Sequence, residues 1–532
     1  MWDPTIQAAG QGLLLVCSWP NIVYPFVATL LTMVVAFVPG ISGATLMALT
    51  IPFTLTLGPV PTVLILGGMV GGSTFMGSVT AIIFNIPGSG PSAATLLDGH
   101  PMAQQGRAKT ALGCAALASA LGSTFGITVL ILAIPILRQA ILLFGSPEFL
   151  MLTIWGLTTI ALIARGSVIR ALVAAGLGLM LAFIGSDPRT AELRYTFGFV
   201  FLWDGVGPIP ALLGLYSIAE MIDLSASGRL TISGSHRLDE LTGSVREGMA
   251  AVFEHFGLFV RSAMIGTLAG AIPGIGGTVA SFLAYGQAVH TTRDRDKFGA
   301  GDIRGVIAPE AAHDAKDGSS LAPTMAFGIP ANEATALLLA ALVLHGLPPG
   351  RELMTSHLPL VFALIFALFL SNWITSIVGL AVASPLARAT VVRVQLLVPI
   401  ILAVSALAAF AFRQRFADIC LAFVFGIAGY YMKKHGWPRI PLVIGLLLGK
   451  AFEMNLQITL QLRALGRLNP QAHPVGLVLV ALTALNLILP IAQALRGRPS
   501  SPTVESVAKR SEERRVGKEC TSWCRSRWSP YH

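Results

Sequence analysis

Long apolar stretches alternate with short polar ones along nearly the whole chain. Ile22–Val38, Ala111–Leu137, Phe149–Ala164, Ala171–Ile184, Leu358–Ala383, Leu396–Phe412 and Gly476–Ala494 contain no charged residue. A bilayer core takes about 20 apolar residues of helix, so these stretches predict membrane-spanning helices. The expected fold is all-α and polytopic, with about 11 to 14 membrane segments of that usual length. A polar stretch from Ser225 to about Glu254 reads as a linker. It separates a first transmembrane half (1–224) from a second half with C-terminal helices (255–497).

Composition agrees with this pattern. Of 532 residues, 54% are hydrophobic and 12% charged, and mean hydropathy is +0.73. A soluble chain carries about 25% charged residues, so lipid must face much of this one. The net charge of +10 fits loops retained on the cytoplasmic side. The basic residues are scattered, with no aromatic-interleaved stripe, so nucleic acid is not an expected partner. The start, Met1-Trp2-Asp3, lacks the basic region of a cleaved signal, and the first basic residue is Arg107. The first spanning helix is therefore expected to act as the insertion signal. From Arg498 onward the apolar period stops. Residues 498–532 read as vector-like or disordered sequence outside the fold, and Cys520 and Cys524 within them as no metal site. Cys17, Cys114 and Cys420 sit singly in apolar stretches as small packing residues.

The two halves carry matching interruptions in the same order. The first has Val38-Pro39-Gly40-Ile41-Ser42-Gly43, then Asn85-Ile86-Pro87-Gly88-Ser89. The second has Ile272-Pro273-Gly274-Ile275-Gly276-Gly277, then Gly328-Ile329-Pro330-Ala331-Asn332-Glu333. Pro and Gly break a helix, and inside a bilayer freed backbone groups are tolerated only where protein or a water-filled cavity satisfies them. Paired breaks in corresponding halves point to a transporter's midplane site. Two related repeats with broken or re-entrant helices are therefore expected.

A half-helix starting at depth offers free N–H groups and a partial positive charge, which suit a carboxylate. Carbonyl ends with Ser, Thr and Asn oxygens suit Na⁺. Ser42, Asn85, Ser89, Ser92 and Thr95 are expected to line one half-site, and Thr278, Asn332 and Thr335 the other. Taken alone, each of these residues is as readily a cap or packing contact. Glu333 stands in the first turn of its half-helix. It either takes part in coupling or complements the dipole of a helix capped by Asn332, and the second reading is preferred.

The segments Gly77–Gly88, Ser92–Ala108, Gly305-Val-Ile-Ala-Pro309-Glu310-Ala-Ala312 and Pro323-Thr-Met-Ala-Phe-Gly328-Ile-Pro330 resemble the large membrane subunit of the tripartite tricarboxylate transporters. The resemblance implies a secondary transporter subunit of the inner membrane, not an enzyme. It implies a small membrane subunit and a periplasmic binding protein as partners and a carboxylate as substrate. It also implies no cofactor, with Na⁺, or else H⁺, as coupling ion. Two departures stand out: His313-Asp314 where the family commonly has Asn-Asn, and Ala331-Asn332-Glu333 where it commonly has Gly-Ser after Ile-Pro. A stand-alone anion carrier, a channel and an intramembrane enzyme are the rival readings.

Gly299-Ala-Gly301-Asp302 matches a short intramembrane-protease motif but lies among charges, in an expected aqueous loop. Glu310, His313 and Asp314 read as a polar hinge at the mouth of the site, with a gating or coupling role. Their metal-like spacing occurs once, whereas di-metal bundles need two copies. Asp98-Gly99 and Pro101 read as a turn, Gly67, Gly68, Gly71, Gly72 and Gly77 as close-packing positions, and Lys450 with Glu453 as a pair.

Overall fold

The structure is a computed structural model and describes residues 3–36, 43–163, 168–187, 190–226, 231–232, 242–273, 276–388, 392–466 and 474–495. The first half contains α1 (Asp3–Cys17), α2 (Val23–Ala36), α3 (Gly43–Thr54), α4 (Pro59–Gly72), α5 (Thr74–Phe84), α6 (Ser92–Gln104), α7 (Ala108–Leu142), α8 (Ser146–Ile163) and α9 (Val168–Ala182). It continues through α10 (Pro208–Leu212) and α11 (Ala219–Ala226), joined by a π-helical turn at Leu213–Ile218. The second contains α12 (Val245–Glu254), α13 (Phe256–Ala271), α14 (Gly276–Thr291), α15 (Arg304–Phe327), α16 (Glu333–Leu344), α17 (Arg351–Thr355) and α18 (Leu358–Arg388). Then follow α19 (Val394–Arg413), α20 (Phe416–Lys434), α21 (Arg439–Ala464) and α22 (Pro474–Leu495). Among the described residues, strands are confined to two short antiparallel ladders, Gly185–Ser186 with Leu193–Arg194 and Thr231–Ile232 with Val392–Arg393.

The protein is all-α and polytopic. Among the described residues, 6 helical stretches are long and apolar enough to cross a membrane: Pro59–Phe84, Ala108–Leu142, Pro208–Ala226, Leu358–Ala383, Phe416–Lys434 and Arg439–Ala464. Four of these are absent from the apolar stretches picked out in the sequence. Glycine dilutes Pro59–Phe84, Pro and a π turn interrupt Pro208–Ala226, charged ends dilute Phe416–Lys434, and Lys450 and Glu453 interrupt Arg439–Ala464.

Glycines set the packing. A Cβ on Gly67 would stand 2.9 Å from the Leu364 carbonyl oxygen, and one on Gly68 2.7 Å from that of Pro25. A Cβ on Gly122 would meet the Ala311 carbonyl oxygen at 2.5 Å, and one on Gly126 would fall on that of Ala315. Gly266 and Gly270 of α13 sit against the backbone of Ala312 and Lys316. In lipid, association rests on such close approach, because the apolar surroundings supply no hydrophobic drive between helices.

The contacts recur in order. α4 lies between α2 and α18, as α15 lies between α13 and α7. α1 packs on α18 as α12 packs on α7, and α9 packs on α21 as α20 packs on the π turn. Of the half-helices after each break, α3 lies against α16 and α6 against α14. The register agrees. Asn85 and Gly328, each just before Ile-Pro, both end their helix in the left-handed conformation (φ 58° and 70°). Gly43 packs on Ser73 and Gly277 on Lys316. Ser73 and Lys316 precede Asn85 and Gly328 by the same interval.

Two expectations need correction. Asp98, Gly99 and Pro101 lie inside α6, since a helix tolerates glycine and Pro101 stands in its last turn. Glu453 pairs with Arg194 at 2.7 Å, a partner brought by the Gly185–Arg194 hairpin and invisible to local spacing. Glu220, within an apolar run, bonds Arg439 at 2.9 Å and Lys433 at 2.5 Å. Part of the linker and all of 498–532 lie outside the described residues.

Gly126→Leu is expected to prevent the α7–α15 contact, since overpacking costs about 1–3 kcal/mol even where neighbours can yield and a carbonyl cannot. Gly176→Ala, with open space around it, is expected to be neutral or stabilising by up to about 1 kcal/mol. Thermal midpoints and gel-filtration profiles in detergent check both.

Candidate functional site

α15 is the most polar long helix of the protein and the most enclosed. Glu310, His313, Asp314, Lys316, Asp317, Ser319, Ser320 and Thr324 are all buried. Pro309 and Pro323 lie within it without ending it. Sequence like this folds into the interior only if close neighbours cover its backbone and supply partners for its side chains. The glycines of α7 and α13 do the first.

Hydroxyls from three other helices do the second. Ser78 of α5 donates to Glu310 Oε1 at 2.6 Å, and Thr95 of α6 donates to the same oxygen. Ser119 of α7 donates to Asp314 Oδ2, and Lys316 Nζ donates to Asp317 Oδ1. Four buried side-chain atoms of α15 have no hydrogen-bond partner among the described residues: Glu310 Oε2, His313 Nδ1, Asp314 Oδ1 and Asp317 Oδ2. Glu310, His313 and Asp314, expected at a polar hinge, lie buried on a continuous stretch of α15, where hydroxyls meet the two carboxylates.

The segment between α5 and α6 folds back onto α5. Gly88 N donates to Gly77 O at 3.2 Å, and a Cβ on Gly77 would stand 2.9 Å from Ser89 Oγ. Ser89 N donates to Ser92 Oγ and Ser92 Oγ to Ser89 O, closing the turn that follows Pro87, contains Pro91 and starts α6. Thr95 lies one turn further, on Glu310.

From the second half, Pro273 is buried at the end of α13 and Gly276 opens α14 with φ 66°. Thr278 is half-buried in the first turn. A Cβ on Gly277 would stand 2.8 Å from Pro91 and would fall on the Lys316 side chain. Lys316 thus lies where the starts of α6 and α14 meet. Pro39, Gly40, Ser42 and Gly274 lie outside the described residues. Gly43 opens α3.

The Pro330–Thr335 turn is a self-contained cap. Asn332 Oδ1 accepts from Thr335 N at 3.0 Å, and Thr335 Oγ1 accepts from Asn332 N at 2.9 Å. Glu333 interacts electrostatically with Arg439, which also donates to Leu215 O at 2.7 Å and to Glu220. The expected residues thus fall into two groups, one around Lys316 and Glu310 and one around Arg439. Sequence reasoning missed Lys316, Asp317, Ser78 and Ser119. The available signal was four ionisable residues and a histidine within Glu310–Asp317, in a segment flanked on both sides by apolar helix.

The Gly299–Asp302 loop has a structural role. Asp98 Oδ1 accepts from the N–H groups of Gly299, Gly301 and Asp302 at 2.8–2.9 Å, and Tyr285 OH donates to Oδ2 at 2.9 Å. Burial raises the Asp302 carboxyl, but the hydrogen bonds and charge of Arg304 outweigh it and hold the group below its ordinary value. An open cavity of about 470 Å³ beside this loop is lined by Arg107, His255, Lys297 and Arg304, among others. No residue of the Glu310–Asp317 cluster lines it.

Comparison with known proteins places these features in context. The family described as "Tripartite tricarboxylate transporter TctA family" matches residues 22–444. A protein of Agrobacterium vitis described as "Uncharacterized 52.8 kDa protein in TAR-I ttuC' 3'region" is 30% identical over 485 residues, covering 91% of this chain and 96% of the relative. A second from the same organism, "Uncharacterized protein in TAR-II ttuC' 3'region", is 27% identical over 240 residues, or 45% of this chain and 99% of that protein.

Asp98→Ala is expected to release the loop, because charge-assisted hydrogen bonds contribute about 1.5–3 kcal/mol each. Hydrogen exchange of the Gly299–Asp302 amides should accelerate at least about tenfold, by the 1.4 kcal/mol-per-decade relation, while amides within α7 stay protected.

Proposed function

This chain belongs to the tripartite tricarboxylate transporter TctA family, and on that premise we propose that it is the translocating subunit of a carboxylate symporter driven by Na⁺ or H⁺. It is a multi-pass inner-membrane transport protein and not an enzyme. In the proposed system a periplasmic binding protein delivers the substrate and a small membrane subunit accompanies this one. The two halves, 1–224 and 255–497, act as related repeats that rock about the site between them. The matched breaks and the recurring contact order support that relation.

The observation that carries the substrate class is Lys316, a buried cation at the meeting of two helix starts. Backbone N–H groups at the starts of α6 and α14 and one ammonium together suit a carboxylate. Ser89, Ser92, Gly276, Gly277 and Thr278 are the positions nearest that meeting point in the chain. Lys316 is held by Asp317, so a substrate carboxylate reaching Lys316 competes with Asp317 for it. A displaced, buried carboxylate cannot stay charged without a partner. It takes up a cation, Na⁺ or a proton, and substrate and ion therefore bind together. Release reverses both steps and restores the pair. Glu333, engaged with Arg439, lies outside this exchange.

Uptake into proteoliposomes containing the chain, its small partner subunit and the binding protein tests the reading. Wild-type uptake of a labelled carboxylate should require the binding protein and an inward ion gradient. Uptake without the binding protein would favour a stand-alone carrier. Lys316→Ala should lower uptake by about 30-fold or more, the scale of losing one partner of a buried charge pair. Asp317→Asn should keep exchange but lose gradient-driven accumulation. Glu333→Gln should leave both intact. Wild-type uptake by Lys316→Ala would overturn the assignment of the substrate site.

A further inference from the structure

The proposed exchange uses Lys316 and Asp317 and leaves Glu310, His313 and Asp314 without a task. These three are 0%, 2% and 0% exposed. One ligand atom from each lies within 4.8 Å of the other two. Positions 310, 313 and 314 fall on one face of α15, as i, i+3 and i+4 must.

Their hydrogen bonding is one-sided. Ser78 and Thr95 both donate to Oε1 of Glu310, and Ser119 donates to Oδ2 of Asp314. Oε2 of Glu310, Oδ1 of Asp314 and Nδ1 of His313 are buried and bond to nothing among the described residues. Ligating carboxylates are commonly held this way, one oxygen fixed by surrounding donors and the other free for an ion.

The charge is also one-sided. The nearest cation, Lys316, is committed to Asp317. That leaves two buried carboxylates with hydroxyl donors and no counter-charge, and such groups call for compensation in the interior.

We propose that Glu310, His313 and Asp314 bind one divalent transition-metal ion, of the Zn²⁺, Mn²⁺ or Co²⁺ class, at the centre of the bundle. A divalent ion balances both carboxylates at once. An imidazole nitrogen with two carboxylate oxygens suits Zn²⁺ and its neighbours in the first transition row, whereas Na⁺ and Mg²⁺ favour oxygen alone. At bond lengths of about 2.0–2.2 Å, tetrahedral ligands stand about 3.4 Å apart, so the three side chains, whose ligand atoms lie within 4.8 Å of one another, would rotate inward to close on an ion. The ion would tie α15, through the hydroxyls on its ligands, to α5, α6 and α7.

The test uses the full chain in detergent micelles, stripped with a chelator and passed through gel filtration. Co²⁺, Zn²⁺ and Mn²⁺ are then added separately. The expected result is one ion retained per chain, a Co²⁺ visible absorption band, and a raised thermal midpoint. His313→Gln should abolish the band, and Asp314→Asn should weaken retention at least about tenfold, the usual scale for disturbing a site's ligands or their supports. Asp302→Asn, in the surface loop, should retain the ion as wild type does. Excess Na⁺ should not displace it. Glu310→Gln, which preserves the shape of the side chain, guards against misfolding of the other variants, and its gel-filtration profile should match wild type.

The proposal is overturned if the stripped, folded protein retains no divalent ion. Equal retention by wild type, His313→Gln and Asp314→Asn overturns it as well, as does displacement by Na⁺ at equal concentration. These readouts do not use transport. Carboxylate uptake without metal binding sinks this inference and spares the symporter reading, and metal binding without uptake does the reverse.

Discussion

The structure depends on covering a polar helix. α15 carries four charged side chains between Glu310 and Asp317 and is buried along almost its full length. Its backbone is sealed by glycines on α7 and α13, and its side chains are met by hydroxyls on α5, α6 and α7. Either provision alone would fail. Close packing without donors would leave charges unpartnered, and donors without close packing would admit lipid to a charged surface.

The same frame is used twice with different contents. α4 sits between its neighbours as α15 does, and Gly43 rests on Ser73 as Gly277 rests on Lys316. Where one half has Ser73 and Thr74, the other has Lys316 and Asp317. Backbone breaks and helix order are matched, and the charge is not. The proposed exchange of partners at Lys316 is thereby confined to one half, with α6 of the other half supplying Thr95 and the Pro91 contact.

Much of the fold was legible in the sequence, because lipid imposes a simple rule on long uncharged stretches. The breaks after Asn85 and Gly328 were legible too, since Ile-Pro ends a helix at depth. Helices diluted by glycine or interrupted by charge, such as Pro59–Phe84 and Arg439–Ala464, escaped that rule. The site was read only in part. Thr95 and Gly277 were picked out as members of the breaks, and the structure places both at the buried cluster. Asn332 and Thr335 were picked out for the same reason, and their oxygens serve the cap. Lys316 and Asp317 were passed over because charge in a sequence is read as water. What makes them interior is the arrival of Gly270, Gly277 and Pro91 from elements far along the chain, which no local pattern encodes.

Most glycine contacts onto α15 are made to its main chain. Gly122, Gly126 and Gly266 press on the carbonyls of Ala311, Ala315 and Ala312, and Gly270 on that of Lys316 and on the Ser319 hydroxyl. A packing surface read through carbonyl oxygens is blind to which residues the helix presents on its other faces. The backbone contacts therefore do not depend on which side chains stand at positions 310, 313, 314 and 317, whereas the Lys316 side chain also packs against Gly277. The scaffold is inflexible where its backbones touch, and under the proposed function its cargo chemistry sits on side chains that can change while the fold is kept.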